Sequence, residues 1–193
     1  MFTNKFATRL NSFKSNWEFQ SKPSIKDLIK RASTVANLTH LDLNYPDHSN
    51  PSLAEVAKFT TDCGLEINGL AMRYYTNPAF KLGAFTNPNK QVRQEAIDLT
   101  KKAIDGLREI NSNLLTIWLG QDGFDYGFQV DYKKMWDDEI NALREITEHD
   151  KDCLISIEYK PNEPRAYSLL SNLGTTLLAI KEINLSMSKG SLK

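Results

Sequence analysis

Residues 153–165 read CLISIEYKPNEPR. Side chains alternate along a strand, so Ile155 and Ile157 fall on one side while Ser156, Glu158 and Lys160 share the other. A carboxylate and an ammonium therefore leave together from the strand's carboxyl end. Pro161 and Pro164, with Asn162 and Glu163 between them, continue neither strand nor helix and fix the direction of the following loop. Two readings are open: a weak surface ion pair at an ordinary strand end, or polar groups presented to a site.

Outward from this stretch the chain repeats one pattern, a strand followed by a helix. Lys5–Leu10 alternates as a first strand. A loop runs through Trp17, and a helix follows from Ser24, an N-cap after Pro23, to about Ala36, with Ile25, Leu28, Ile29 and Ala32 on one face. The second strand, Thr39–Leu43, sets Leu41 and Leu43 against His40, Asp42 and Asn44. Pro46 ends it, Asp47 and His48 lie in the loop, and Ser52 caps a helix to Cys63 with Gly64 as its C-terminal glycine. The third strand is Glu66–Met72, where Gly69 marks a close backbone approach.

The loop RYYTNPAFKLGAFTNPN, 17 residues from 73 to 89, is longer than a simple connection needs and reads as functional. A third helix, Lys90–Asn111, carries the stripe Val92, Ala96, Leu99, Ala103, Leu107 and Ile110. In the fourth strand, Leu114–Leu119, Thr116 and Trp118 lie opposite Leu115 and Ile117. The glycine-rich loop 120–127 holds Asp122 and Asp125, which read as turn residues without a functional role. Asp131 caps a helix to about Glu148, the opening stretch is the fifth strand, and a last helix spans about Thr175–Ile183.

Consecutive strand–helix units with no hairpin signal imply parallel strands joined by crossovers, and so an α/β fold. The polar faces decide between architectures. Asp42, Asn44, Thr116, Trp118, Ser156 and Glu158 would sit badly in a flat sheet covered by apolar helices, but suit the lumen and rim of a TIM-type (β/α)8 barrel. No GxGxxG or GxxxxGK supports a doubly wound nucleotide-binding sheet.

Composition narrows the function. The chain has 193 residues, and its 24 basic and 24 acidic side chains cancel. That balance provides no field for a polyanion, so no nucleic-acid partner is expected. Two cysteines, Cys63 and Cys153, suit free thiols in a reducing compartment. No apolar run reaches membrane-spanning length and the amino terminus lacks a signal-peptide core, so a cytoplasmic protein with no membrane partner is expected.

The run Glu158-Tyr159-Lys160-Pro161-Asn162-Glu163-Pro164-Arg165 resembles the E-x-K-P-N-E-P-R signature of the xylose isomerase family, departing only where a proline usually follows the glutamate. Tyr75-Thr76-Asn77-Pro78-Ala79-Phe80-Lys81-Leu82-Gly83-Ala84-Phe85-Thr86 is similar to that family's aromatic-T-x-P-x-F-K-x-G-x-F-T loop. Val92-Arg93 with Ala96-Ile97, and Trp118 with Gly120, match its next helix and strand end. The likeness keeps order over about 60% of the chain, from residue 66 to 183.

The resemblance implies a divalent-metal aldose–ketose isomerase or epimerase acting on a small sugar or sugar phosphate. Glu158 would be a metal ligand for Mg2+, Mn2+ or Co2+, Lys160 the group that polarises the sugar carbonyl, and Trp118 and Tyr75 the walls that stack on the sugar. Where the family has a histidine at the end of strand two, Asn44 or Tyr45 stands here, and His48 is a candidate substitute. Asn44 and His48 are therefore expected substrate-binding positions.

The family's remaining ligands come from later strands, and this sequence shows about five units, with three missing. Residues 1–185 are expected to form an incomplete barrel domain and 186–193 an irregular tail. On that expectation the chain alone is catalytically deficient, and its open strand edges favour homo-oligomers. A non-catalytic binding or scaffold fragment is the alternative reading. A metal-dependent endonuclease of the same barrel superfamily is the remote one.

Overall fold

A computed structural model describes residues 4–15 and 21–190. The loop expected through Trp17 lies outside the described residues. The strands are β1 (Ala7–Arg9), β2 (His40–Tyr45), β3 (Glu66–Met72), β4 (Leu114–Ile117), β5 (Gly123–Phe124), β6 (Leu154–Ile157) and β7 (Tyr167–Ser168). The helices are α1 (Ile25–Ser33), α2 (Leu53–Asp62), α3 (Lys90–Gly106), α4 (Tyr132–His149) and α5 (Leu173–Gly190). A parallel five-stranded sheet runs in the order β1-β2-β3-β4-β6, and β5 and β7 form a separate antiparallel ribbon. The α/β class expected from the strand–helix alternation is thus the one observed.

The chain divides into two compact units, one reaching Arg73 and including Ala103–Thr116, the other made of Tyr74–Lys102 and the residues from Ile117 on. In the first unit, Ala7 to Arg9 pair with His40 to Asp42, and β2 pairs with β3 from His40↔Glu66 to Tyr45↔Met72. The register shifts after Leu41, which makes Asn68 the extra residue. Its groups are satisfied: the amide nitrogen donates to Asp42 Oδ1 at 2.8 Å, and its carbonyl accepts from Ser112 Oγ at 2.7 Å. Gly69 follows, and a Cβ there would stand 2.5 Å from the Leu114 carbonyl oxygen. Only glycine lets β3 and the start of β4 approach this closely.

Leu41 and Leu43 are fully buried, as the alternation of β2 required. Leu28, Ile29 and Ala32 of α1, and Val56 of α2, join them in the core. Ser24 caps α1 in a complete capping box with Asp27, and Ser52 Oγ accepts from Glu55 N at 3.2 Å to cap α2. Ser52→Ala is expected to cost about 1 kcal/mol in urea denaturation, because that amide then loses its only cap. Helix α3 ends as an α-helix at Gly106 and tightens into a 3-10 turn over Leu107–Ile110. The sequence stripe, which continued to Ile110, did not show this change.

In the second unit, α4 buries Met135, Ile140, Ala142, Leu143 and Ile146, and α5 buries Ala179 and Ile183. Trp136 Nε1 donates to Glu182 Oε2 at 3.0 Å, tying α4 to α5. Ile155 and Ile157 of β6, with Leu143, Ile180 and Ile183 and the polar Thr147 and Asn184, line a pocket of about 210 Å3. This is the side of β6 on which the alternation set Ile155 and Ile157, and both are half-buried there.

Two expectations need correction here. The 73–89 loop, in which the sequence shows no obvious secondary structure, contains 3-10 turns over Tyr74–Thr76 and Pro78–Leu82. Helix α5 begins at Leu173, where Asn172 Oδ1 accepts from Thr175 N at 3.1 Å, and runs to Gly190 instead of giving way to an irregular tail at 186. No proline interrupts Leu185–Lys189, so nothing in the backbone stops the helix there. Residues 191–193 of that expected tail lie outside the described residues. Among the described residues, no helix is long and apolar enough to cross a membrane.

Candidate functional site

In the second unit, the carboxyl ends of β4 and β6 are stitched by one backbone bond, Glu158 N to Ile117 O at 2.9 Å. That bond fixes Trp118 and Glu158 as the next residues out of their strands. Lys160 is held in turn, its amide donating to Leu170 O at 3.2 Å and its ammonium reaching Glu163 Oε2 at 3.1 Å. The same ammonium lies 4.7 Å from the centre of the Trp118 ring, within cation–π range. Tyr75 meets Trp118 edge to face at 5.3 Å.

The structure therefore brings four of the six sequence-predicted residues, Tyr75, Trp118, Glu158 and Lys160, into one neighbourhood. The Glu158 carboxylate is half-buried and has no hydrogen bond or ion pair to a described residue. Between Trp118, Ile157, Glu158, Lys160, Ser168 and Leu170 lies a recess of about 10 Å3. That is room for about one water.

Sequence reasoning missed what holds this neighbourhood. Asp122, set aside as a turn residue, is 1% exposed. Its carboxylate accepts from Ala84 N at 2.9 Å, from Thr86 N at 2.8 Å and from Thr86 Oγ1 at 2.7 Å, and its own carbonyl accepts from Leu169 N at 3.0 Å. Burial raises the Asp122 carboxyl above the ordinary range, while the donors from Ala84, Thr86 and Phe85 pull it back. Asp125 accepts from Arg165 Nη1 at 3.1 Å and from Ala166 N at 3.2 Å, and Arg165 Nη2 donates to Lys81 O at 2.7 Å. The arginine that ends the quoted signature is thus a loop fastener. No local pattern announces these bonds, because the side-chain partners of Asp122 lie 36 to 38 residues away.

Glu139 was also missed. It is wholly buried on α4, and neither carboxyl oxygen has a hydrogen-bond partner. Burial, then the neighbouring Asp122 charge, pushes its carboxyl well above the usual carboxylate range. A signal existed: Met135, Glu139, Ala142 and Ile146 recur at helical spacing, so the glutamate falls on the apolar stripe.

The other two predicted residues belong to the first unit. Asn44, at the end of β2, is buried, and with its carbonyl oxygen toward Arg73 it accepts from Nε at 3.1 Å and Nη2 at 3.3 Å. His48 folds back on the same strand end. Its Nδ1 accepts from Asn44 N at 3.0 Å, which places the proton on Nε2, and Nε2 is buried without a partner. Burial first, then the Lys14 and Arg73 charges against an opposing Asp47, lowers its pKa to about 4. The ring is neutral near pH 7. Both residues are thus engaged in closing the β2 end.

A divalent ion needs about six oxygen ligands. Glu158 offers one unpaired carboxylate, but among the described residues no three His, Cys, Asp or Glu side chains come together as a metal group. The donor set present does not by itself fit a tightly held ion.

No family model matches the chain. Over 143 residues it is 26% identical to the xylose isomerase of Thermus thermophilus, a match that covers 72% of this chain and 37% of the relative. The D-psicose 3-epimerase of Clostridium cellulolyticum superposes with a TM-score of 0.68 at 14% identity, over 94% of this chain and 60% of that one. The 3-keto-D-glucoside 4-epimerase of E. coli gives a TM-score of 0.69 at 12% identity, over 94% and 65%. The chain has the xylose isomerase-like barrel fold in part. It spans about 60% of the first of these barrels and 37% of the xylose isomerase. An AP endonuclease of family 2 from Brucella melitensis shares the fold as well, with a TM-score of 0.69 at 13% identity over 93% of this chain and 64% of that one. In xylose isomerase-like barrels, as in TIM barrels generally, sites form at strand carboxyl ends. Asn44, Trp118 and Glu158 each stand at such an end.

Proposed function

We propose that the β4 and β6 ends form the sugar-facing part of an isomerase- or epimerase-type site for a small sugar or sugar phosphate. The observation that carries this reading is the Lys160 ammonium set over the Trp118 ring beside an unpaired Glu158 carboxylate. An indole gives the C–H face of a sugar a flat apolar surface, and an adjacent fixed ammonium donates to its carbonyl oxygen. Glu163 keeps that ammonium aimed. Tyr75 braces the indole and shields one side from water. Glu158 contributes one oxygen donor toward a divalent cation, whose other ligands the described residues do not supply.

The test uses D-fructose and Mn2+ on the purified chain. Trp118→Ala is expected to weaken D-fructose binding about tenfold, the order of one good aromatic contact. Glu158→Gln is expected to weaken Mn2+ binding at least tenfold, and equal Mn2+ affinities would remove the glutamate from that role. The second reading, a binding module without turnover, is favoured by the absence, among the described residues, of a group of three metal-ligating side chains beside Glu158. Conversion of D-fructose in the presence of Mn2+ would exclude it. For the endonuclease reading, net neutrality predicts no salt-dependent DNA binding.

A further inference from the structure

The residues of the proposed site ride on three separate loops: Tyr75 on 73–89, Trp118 on the segment leaving β4, and Lys160 on the segment leaving β6. One buried residue meets all three, the first through its side chain and the other two through its backbone. The Asp122 carboxylate gathers the backbone of Ala84 and Thr86 and the Thr86 hydroxyl from the first loop. Its backbone donates to Leu119 O at 3.1 Å, within the turn that follows Trp118. Its carbonyl receives Leu169 N at 3.0 Å, next to Leu170, whose own carbonyl holds the Lys160 amide. Gly83 leaves room for this arrangement, because it takes φ +111 and a Cβ there would stand 2.8 Å from Thr86 Oγ1 and 3.3 Å from Asp122 Oδ1.

A carboxylate taken out of water destabilises the fold unless its acceptor sites are filled. Asp122 is filled by donors from the very loop that carries Tyr75, so that loop cannot move without leaving a buried acceptor bare. We propose that Asp122 is a positioning residue for the strand-end site, holding Tyr75, Trp118 and Lys160 in a common register. It touches no substrate itself. The proposal rests on the sugar-site reading only for what is positioned; the clamp is measurable with no sugar present.

The experiment compares wild type, Asp122→Asn, Thr86→Val and a core control, Ile146→Val, matched for overall stability. Asp122→Asn keeps the shape of the side chain but turns one acceptor oxygen into a donor. Thr86→Val removes a single donor and gives a milder second variant should the first fold poorly. Amide exchange is read at Ala84, Thr86 and Leu169, together with acylation of Lys160 by an amine reagent. Asp122→Asn is expected to speed exchange at all three amides more than tenfold and to raise Lys160 acylation several-fold, with Thr86→Val shifting both in the same direction.

D-fructose affinity should then fall about tenfold with Mn2+ affinity unchanged, a split that general destabilisation does not produce. Exchange at Leu169 and acylation of Lys160 equal to those of the Ile146→Val control would overturn the proposal. Wild type that binds no D-fructose would overturn the sugar reading, while the exchange pattern would still decide the clamp.

Discussion

Glu139→Met is expected to stabilise the protein by about 1–3 kcal/mol at pH 8, an unusual sign for a change in a packed interior. Glu139 is wholly buried and neither oxygen has a partner, so folding strips a carboxyl of its water and returns nothing. Its folded-state titration lies well above the ordinary range, with burial the main cause and Asp122 the second. The folded protein therefore holds this proton more tightly than the unfolded chain does. Stability from this group is complete below the ordinary glutamate pKa and is lost as pH rises toward the folded value. Methionine has a similar length and no proton to hold, so the gain should grow from pH 5, just above the ordinary glutamate range, to pH 8. Urea midpoints of the two proteins at both pH values measure it. A variant that is less stable at both, with an unchanged pH slope, would mean that the carboxyl is well served where it is.

The second large effect has the opposite direction along the pH axis. His48 titrates at about 4 in the folded protein against an ordinary 6.5, because it is buried beside the Lys14 and Arg73 charges. Its contribution is complete above pH 6.5. As pH falls the unfolded chain takes up the proton first, and stability is lost until the folded ring also charges near pH 4. The shift corresponds to about 3 kcal/mol. His48→Asn leaves an acceptor for the Asn44 amide but nothing to titrate in this window. The drop in unfolding free energy from pH 7 to pH 4 should thus be about 3 kcal/mol smaller in the variant than in wild type. Parallel pH profiles for the two proteins would contradict the burial of a neutral imidazole at the end of β2.

Much of this fold could be read from residue order alone. The strands and helices announce themselves through alternation and caps: Ser24, Ser52 and Asp131 all cap the helices they were expected to cap, and β3 spans the expected residues. The β6 stretch revealed its two faces because four residues of strand have only two sides, and the apolar ones had to face the helices. What the sequence hid depends on contacts between distant segments. Asp122 and Asp125 look like any turn aspartates among glycines, since their donors come from loops far along the chain. The engagement of His48 depends on the backbone turning back after Pro46, which residue identities alone do not disclose. Glu139 differs, because its place on the apolar stripe of α4 was visible and only its lack of a partner was not.

The indole of Trp118, with a charged nitrogen 4.7 Å above it, doubles as an optical probe. Indole emission responds to nearby charge, so any molecule that draws the ammonium of Lys160 aside changes the colour and yield of the fluorescence. The chain has three tryptophans. Converting Trp17 and Trp136 to phenylalanine would leave one lamp, lit from inside the neighbourhood whose occupancy is in question. Candidate compounds could then be screened by light alone.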